Sequence, residues 1–275
     1  MFPRLRQALQ AAWLAIGLST AGLALGAEAA DTGTTDIWDK VRASLFGDRS
    51  VADAPPGVLE LRVPSRAADA ATVPIVIKAA EAIPSAGRIR TLHLLIDKNP
   101  SPVAAVFRFG ELSARAEIET RVRIEDYTPV RVVAETESGA LYVTSAFVKA
   151  SGGCSAPAQK TEDTARIGRM RLVLEDEPVA GQPVPVRFSM IHPNHSGLVM
   201  DQLSRHYVPA WYVRSLRVSY GGRTVLEADI DFSISENPNF RFYFLPEGSG
   251  ELRAEAVDTR DLQYETSLEV VPGKR

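Results

Sequence analysis

The stretch "RAEIETRVRI", residues 115–124, alternates without a break: Ala116, Ile118, Thr120, Val122 and Ile124 share one face, and charged residues hold the other. A period of two is the signature of a strand with one buried face and one solvated face. The same signal runs outward from it. Upstream lie "VLELRVP", "TVPIVIKA", "IRTLHLLID" and "VAAVFRFG"; downstream lie "PVRVVAETE" and "ALYVTSAFVKA". Turn formers separate them, among them Pro64-Ser65, Asn99-Pro100, Gly110 and Ser138-Gly139. Short strands with no intervening helical pattern predict an antiparallel sandwich of immunoglobulin type.

The pattern begins again after residue 165. "IGRMRLVLED", "PVPVRFSMI", "AWYVRSLRVSY", "TVLEADID", "NFRFYFLP", "GELRAEAVD" and "YETSLEVV" read as a second set of strands. Gly221-Gly222 marks a tight hairpin within it. The expected fold class is therefore all-β, with two immunoglobulin-like β-sandwich domains over 36–149 and 166–273. Ahead of them, "TDIWDKVRASLFGD" places Ile37, Val41 and Leu45 on one helical face. Thr35 or Asp36 is the expected cap of this short helix and Gly47 its end, with residues 30–35 loose.

The chain of 275 residues carries a formal charge of −3. An acidic balance, with no Lys/Arg-rich patch interleaved with aromatics, argues against a nucleic-acid partner. At the N-terminus, Arg4 and Arg6 precede the apolar run "AAWLAIGLSTAGLALGA" and the small residues Ala27 and Ala29. Residues 1–29 read as a secretory signal peptide; the alternative, a membrane anchor, needs a longer run. No twin arginine is present, which points to the general secretion route. The expected location is the periplasm, with no membrane attachment after cleavage.

Between the two strand sets lies "ASGGCSAPAQKTEDTA", residues 150–165, a linker by composition without a large apolar side chain. It holds Cys154, the single cysteine of the chain. A lone thiol in an oxidising compartment either pairs with another molecule or is kept for chemistry. Its small and polar neighbours Ser151, Gly152, Gly153 and Ser155 predict an exposed thiol on a flexible arm, suited to a carrier rather than to a rigidly placed nucleophile. The rest of the chain adds little chemistry. His192 and His195 in "HPNH" sit on a loop with no third ligand, so no metal is expected. His93 reads as a packed or surface strand residue, and "EDE" at 175–177 as a solvated turn.

These residues resemble a known family. "WDKVRASLFGDRSV", "LELRVPSRAADAATVPIVIKA", "IDKNPSPVAAVFRF" and "ALYVTSAFVKASGGCS" are similar to SoxY. "GQPVPVRFSMIHPNHSGL", "SISENPNFRFYF" and "GELRAEAVDTRD" are similar to SoxZ. The order resembles the fused SoxYZ-like carriers associated with quinoprotein dehydrogenases. The resemblance implies a non-enzymatic, cofactor-free carrier holding a covalent sulfur adduct on Cys154, with Gly152 and Gly153 as the flexible part of the arm. It implies periplasmic redox enzymes of a sulfur-oxidation or quinoprotein dehydrogenase system as partners. It also implies that the SoxY-like and SoxZ-like domains pair. The alternative is a docking module for a quinoprotein dehydrogenase with a dispensable thiol. One departure matters: the SoxY motif closes its polypeptide, whereas here Ser155 and a whole domain follow Cys154. An arm of roughly 15 residues pinned at both ends protrudes about 25 Å at most, half its contour length.

Overall fold

The computed structural model describes residues 32–83, 86–157 and 164–273. The expected signal peptide and residues 158–163 of the expected linker lie outside them. Fifteen strands form among the described residues, preceded by one helix, α1 (Thr32–Phe46). The first half supplies β1 (Val51–Asp53), β2 (Leu59–Arg62), β3 (Val73–Ala79), β4 (Ile89–Ile96), β5 (Val103–Phe109), β6 (Ser113–Val122), β7 (Thr128–Thr136) and β8 (Leu141–Val148). The second half supplies β9 (Met170–Leu174), β10 (Val184–Met190), β11 (Val213–Tyr220), β12 (Arg223–Ile230), β13 (Asn239–Phe244), β14 (Gly250–Asp258) and β15 (Gln263–Val270). Each run read from the alternation becomes a strand; only β1, three residues long, had no pattern to betray it.

Helix α1 starts at Thr32, ahead of the expected Thr35 or Asp36 cap and within the stretch expected to be loose. It stops where expected: Gly47 takes φ +58 and its N–H bonds back to the Ala43 carbonyl. Gly221 and Gly222 take φ +54 and +79, the paired positive values of a type I′ hairpin between β11 and β12.

The two sets of strands do not stop at their own edges. One sheet has nine strands in the order β1-β8-β7-β4-β5-β12-β11-β14-β15, the other six in the order β2-β3-β6-β13-β10-β9. In both, a strand of the first half pairs with one of the second: β5 with β12, and β6 with β13. The sandwich of one half is thus continued by that of the other. A single apolar cluster lies between the sheets, with Phe107 of β5 edge-on to Phe240 of β13 at 5.6 Å across the seam. The face read from "RAEIETRVRI" is buried throughout: Ala116, Ile118, Thr120, Val122 and Ile124 all point into this core.

Backbone bonds continue the seam beyond the strands. Arg123 N–H donates to Ser233 O, Ser235 N–H to Arg121 O and Leu245 N–H to Leu112 O. Asn99 donates from its amide to Arg123 O and to Ser233 Oγ, while its Oδ1 accepts from Glu125 N–H. Buried backbone groups in both halves are therefore satisfied by the other half. No described helix is long and apolar enough to cross a membrane.

Candidate functional site

Beyond β6 the chain continues as Arg123-Ile124-Glu125, and the segment after β8 lies down along it. Gly152 N–H donates to Glu125 O at 2.8 Å and Gly153 N–H to Ile124 O at 2.9 Å. The Glu125 carboxylate then accepts from Cys154 N–H at 2.8 Å, from Ser155 N–H at 3.3 Å and from Ser155 Oγ at 3.2 Å. From the second half, Ser196 Oγ donates to Cys154 O at 2.5 Å. Arg123, 2% exposed, donates to Gly153 O and reaches the carbonyls of Pro193 and Asn194. The arm is clasped between the two halves.

This corrects the expectation of an exposed thiol: Cys154 is 0% exposed. Its neighbours are small, but the strand extension and the 192–197 loop supply the cover that they cannot. Two glycines then acquire a reason other than flexibility. Gly152 takes φ +80, which disfavours any side chain. A Cβ on Gly153 would lie 2.0 Å from Ala70 O and 2.7 Å from Ile124 O, so no other residue fits the docked arm. Burial pushes the thiol up to about 12; the Glu125 carboxylate and Asp231 push the same way, against the Arg123 guanidinium. A docked thiol is neutral and poorly nucleophilic at physiological pH.

His192 and His195 are separated by the fold. His192 is fully buried; its Nδ1 lies 3.1 Å from Asn194 N and 3.0 Å from Asn194 Oδ1, and its Nε2 faces Asp258 Oδ2 at 3.6 Å. Burial holds its basicity down against the pull of that carboxylate. It orders the loop that carries Ser196. His195 instead lines an open cavity of about 640 Å³ beside Ser155 and Pro157. The other wall is a small hairpin, residues 198–208, closed by Met200 and Tyr207, with Leu203 96% and Tyr207 61% exposed. No group of three or more His, Cys, Asp or Glu among the described residues is placed to hold a metal ion. His93 is packed under α1, edge-on to Phe46 at 5.0 Å.

The residues that hold the arm escaped the sequence reading. Glu125 stands in "EDYT", which reads as a turn, and Arg123 sits on the polar face of the alternating strand. Ser196 is one serine among many. Only the positions of Gly152, Gly153 and Cys154 carried a signal.

Comparison with known proteins follows the same division. The family described as Sulfur oxidation protein SoxY matches residues 42–154, and Sulphur oxidation protein SoxZ matches residues 170–269. No curated protein matches. Among solved structures, the sulfur carrier protein SoxY from Chlorobium limicola f thiosulfatophilum is 19% identical, with 42% of this chain and 94% of that one covered, at a TM-score of 0.36. A beta-glycosidase from Bacteroides vulgatus is 9% identical over 79% of this chain and 25% of its own, at a TM-score of 0.25. The first match ends at Cys154 itself, and the second begins at the first residue of β9. The chain belongs to the SoxY and SoxZ sulfur-oxidation families, one domain of each joined in the order SoxY then SoxZ in a single polypeptide.

Proposed function

We propose that this protein is a periplasmic carrier, exported by its leader, that holds a covalent sulfur adduct on Cys154 and presents it to redox enzymes. The observation that carries the reading is the clasp around the arm. An inert structural cysteine needs no anchoring carboxylate at its own amide, and a fixed catalytic thiol would be given a base. Here Glu125, Ser196 and Arg123 hold the backbone of residues 152–155, not the sulfur. Bonds of this kind can be broken as a set and remade. The carrier alternates between a docked state that shields the thiol and a released state in which an ordinary thiol, with a pKa near ~8.5, is offered. It acts as a carrier rather than as a catalyst. A quinoprotein dehydrogenase system is the proposed setting for its partners. Because the arm is anchored at both ends, those partners have shallow or wide approaches to their reaction centres.

Intact-mass analysis of freshly isolated protein under physiological substrate supply tests this. The expected result is a mass increment that localises to Cys154 and is absent in a folded Cys154→Ala variant. Wild-type protein with an unmodified thiol under the same supply overturns the reading. The burial of Cys154 supports one other reading, a docking module whose thiol is dispensable. A Cys154→Ser strain with undiminished activity of the partner enzyme selects that alternative.

A further inference from the structure

The solvent-facing side of the six-stranded sheet carries an accumulation of positive charge that the carrier reading does not use. Arg171 on β9 stands opposite Ser189 on β10, and Ser189 stands opposite Asn239 on β13. Arg121 of β6 lies beside Asn239 and donates to Asn237 O. With Arg166, Arg169 and Arg187 they line an open cleft of about 720 Å³. Of these five arginines, Arg187 is paired with Glu175 at 2.6 Å, and Arg121 is engaged with neutral groups. Among the described residues, Arg166, Arg169 and Arg171 pair with no carboxylate. Like charges gathered on neighbouring strands repel. A chain of net charge −3 that concentrates cations on one face leaves that face short of an anion.

Position and size say which anion. The cleft is far larger than a single tetrahedral oxyanion requires, and it is open along the sheet. Guanidinium forks match carboxylates two oxygens at a time. The cleft also abuts the arm. Arg121 and Arg123 point to the same side of the strand running out of β6, two residues apart, or roughly 7 Å. Arg123 is the residue that donates to Gly153 O. Ile191 and Asn237 line the cleft, and the adjoining Pro193 and Asn194 carbonyls cover Arg123. A partner seated there sits beside the clasp.

We propose that this cleft is the docking seat for a carboxylate-rich segment of the partner protein that acts on Cys154. The proposal rests on the carrier reading for the partner's purpose, but its charge recognition stands apart from the thiol. The seat gives long-range attraction and orientation, while the bonds around residues 152–155 decide when the arm is released.

The test uses the full chain, a fluorescein-labelled hexaglutamate peptide as probe, and anisotropy at low salt. Wild-type and Cys154→Ala proteins are expected to bind the probe equally. Arg169→Gln/Arg171→Gln, at exposed positions without ion pairs, is expected to weaken binding roughly fivefold to tenfold. Arg214→Gln/Arg253→Gln, the same charge change elsewhere on the surface, is expected to leave it within twofold. Inorganic sulfate at equal concentration is expected not to displace the probe. The proposal is overturned if wild type does not bind, if both double variants lose affinity equally, or if sulfate competes as well as the peptide, the mark of a small-oxyanion site. Loss of the Cys154 adduct in the mass measurement, with probe binding intact, would instead count against the carrier reading alone.

Discussion

Replacing Gly153 by Ala separates the two states of the arm. At pH 7.5 a thiol with a pKa near ~8.5 is about one-tenth ionised, whereas one held up to about 12 has on the order of a thousandfold fewer thiolates. Alkylation of the docked thiol is therefore negligible, and iodoacetamide counts the released population. The bonds to Gly152, Gly153, Cys154 and Ser155 stabilise docking by about 0.5–1.5 kcal/mol each, with more from those to Glu125 and Arg123. Ordering the same few residues costs about 1–2 kcal/mol apiece. The two nearly cancel, so docking wins by only a few kcal/mol, and wild type should alkylate roughly 10- to 100-fold more slowly than the same chain in urea. In Gly153→Ala, the new Cβ meets two backbone carbonyls, at 2.0 and 2.7 Å, neither of which can swing aside. The variant should react within about twofold of the unfolded rate while its melting temperature stays within a few degrees of wild type. Intact mass against time gives both rates. Wild type reacting at the unfolded rate, or Gly153→Ala remaining protected, refutes the docked arm. The pH dependence has a definite sign. A raised thiol pKa leaves docking unchanged below ~8.5 and weakens it by about 1.4 kcal/mol per pH unit from there up to about 12.

Further outcomes follow from the same geometry. Glu125→Gln keeps the side-chain length but loses the charge that accepts from Cys154 and Ser155, and should raise the alkylation rate about tenfold. Arg123→Ala leaves the carbonyls of Gly153, Pro193 and Asn194 without their buried donor; a loss of about 3 kcal/mol by urea denaturation is expected, together with faster alkylation. Cleavage between residues 158 and 163 should leave the halves co-eluting in size exclusion, because β5–β12 and β6–β13 hold them; separation at micromolar concentration would contradict the shared sheets. His93 is held neutral mainly by burial, and both ring nitrogens lack hydrogen bonds. Its lowered pKa contributes stability above ~6.5 that is lost as pH falls below that value. His93→Leu should flatten the decline in melting temperature between pH 7 and 5, and an unchanged slope would reject the assignment.

The strands were legible because alternation is a local property: each residue of "RAEIETRVRI" declares its face without reference to any other strand. Which strands pair is not local, and nothing in β5 or β12 names its partner 121 residues away in the Phe107 and Ala228 register. The arm shows the same limit. Glycine enrichment was visible and suggested mobility, yet the φ of Gly152 and the carbonyl against Gly153 exist only once Ala70 and Ile124 have been brought there. His192 was visible, but its role depends on Asn194 and Asp258, which the fold gathers from a loop and a distant strand end.

The shared sheets carry a consequence for the order in which the molecule is made. In a chain delivered N-terminus first, β5 and β6 have all their first-half neighbours while β12 and β13 are still missing. Phe107 has no Phe240 to meet. Until the second half follows, the chain presents two open strand edges and an uncovered apolar seam, the features that recruit wrong partners. The seam closes only when the second half has been delivered, and a holding chaperone gains most by binding there.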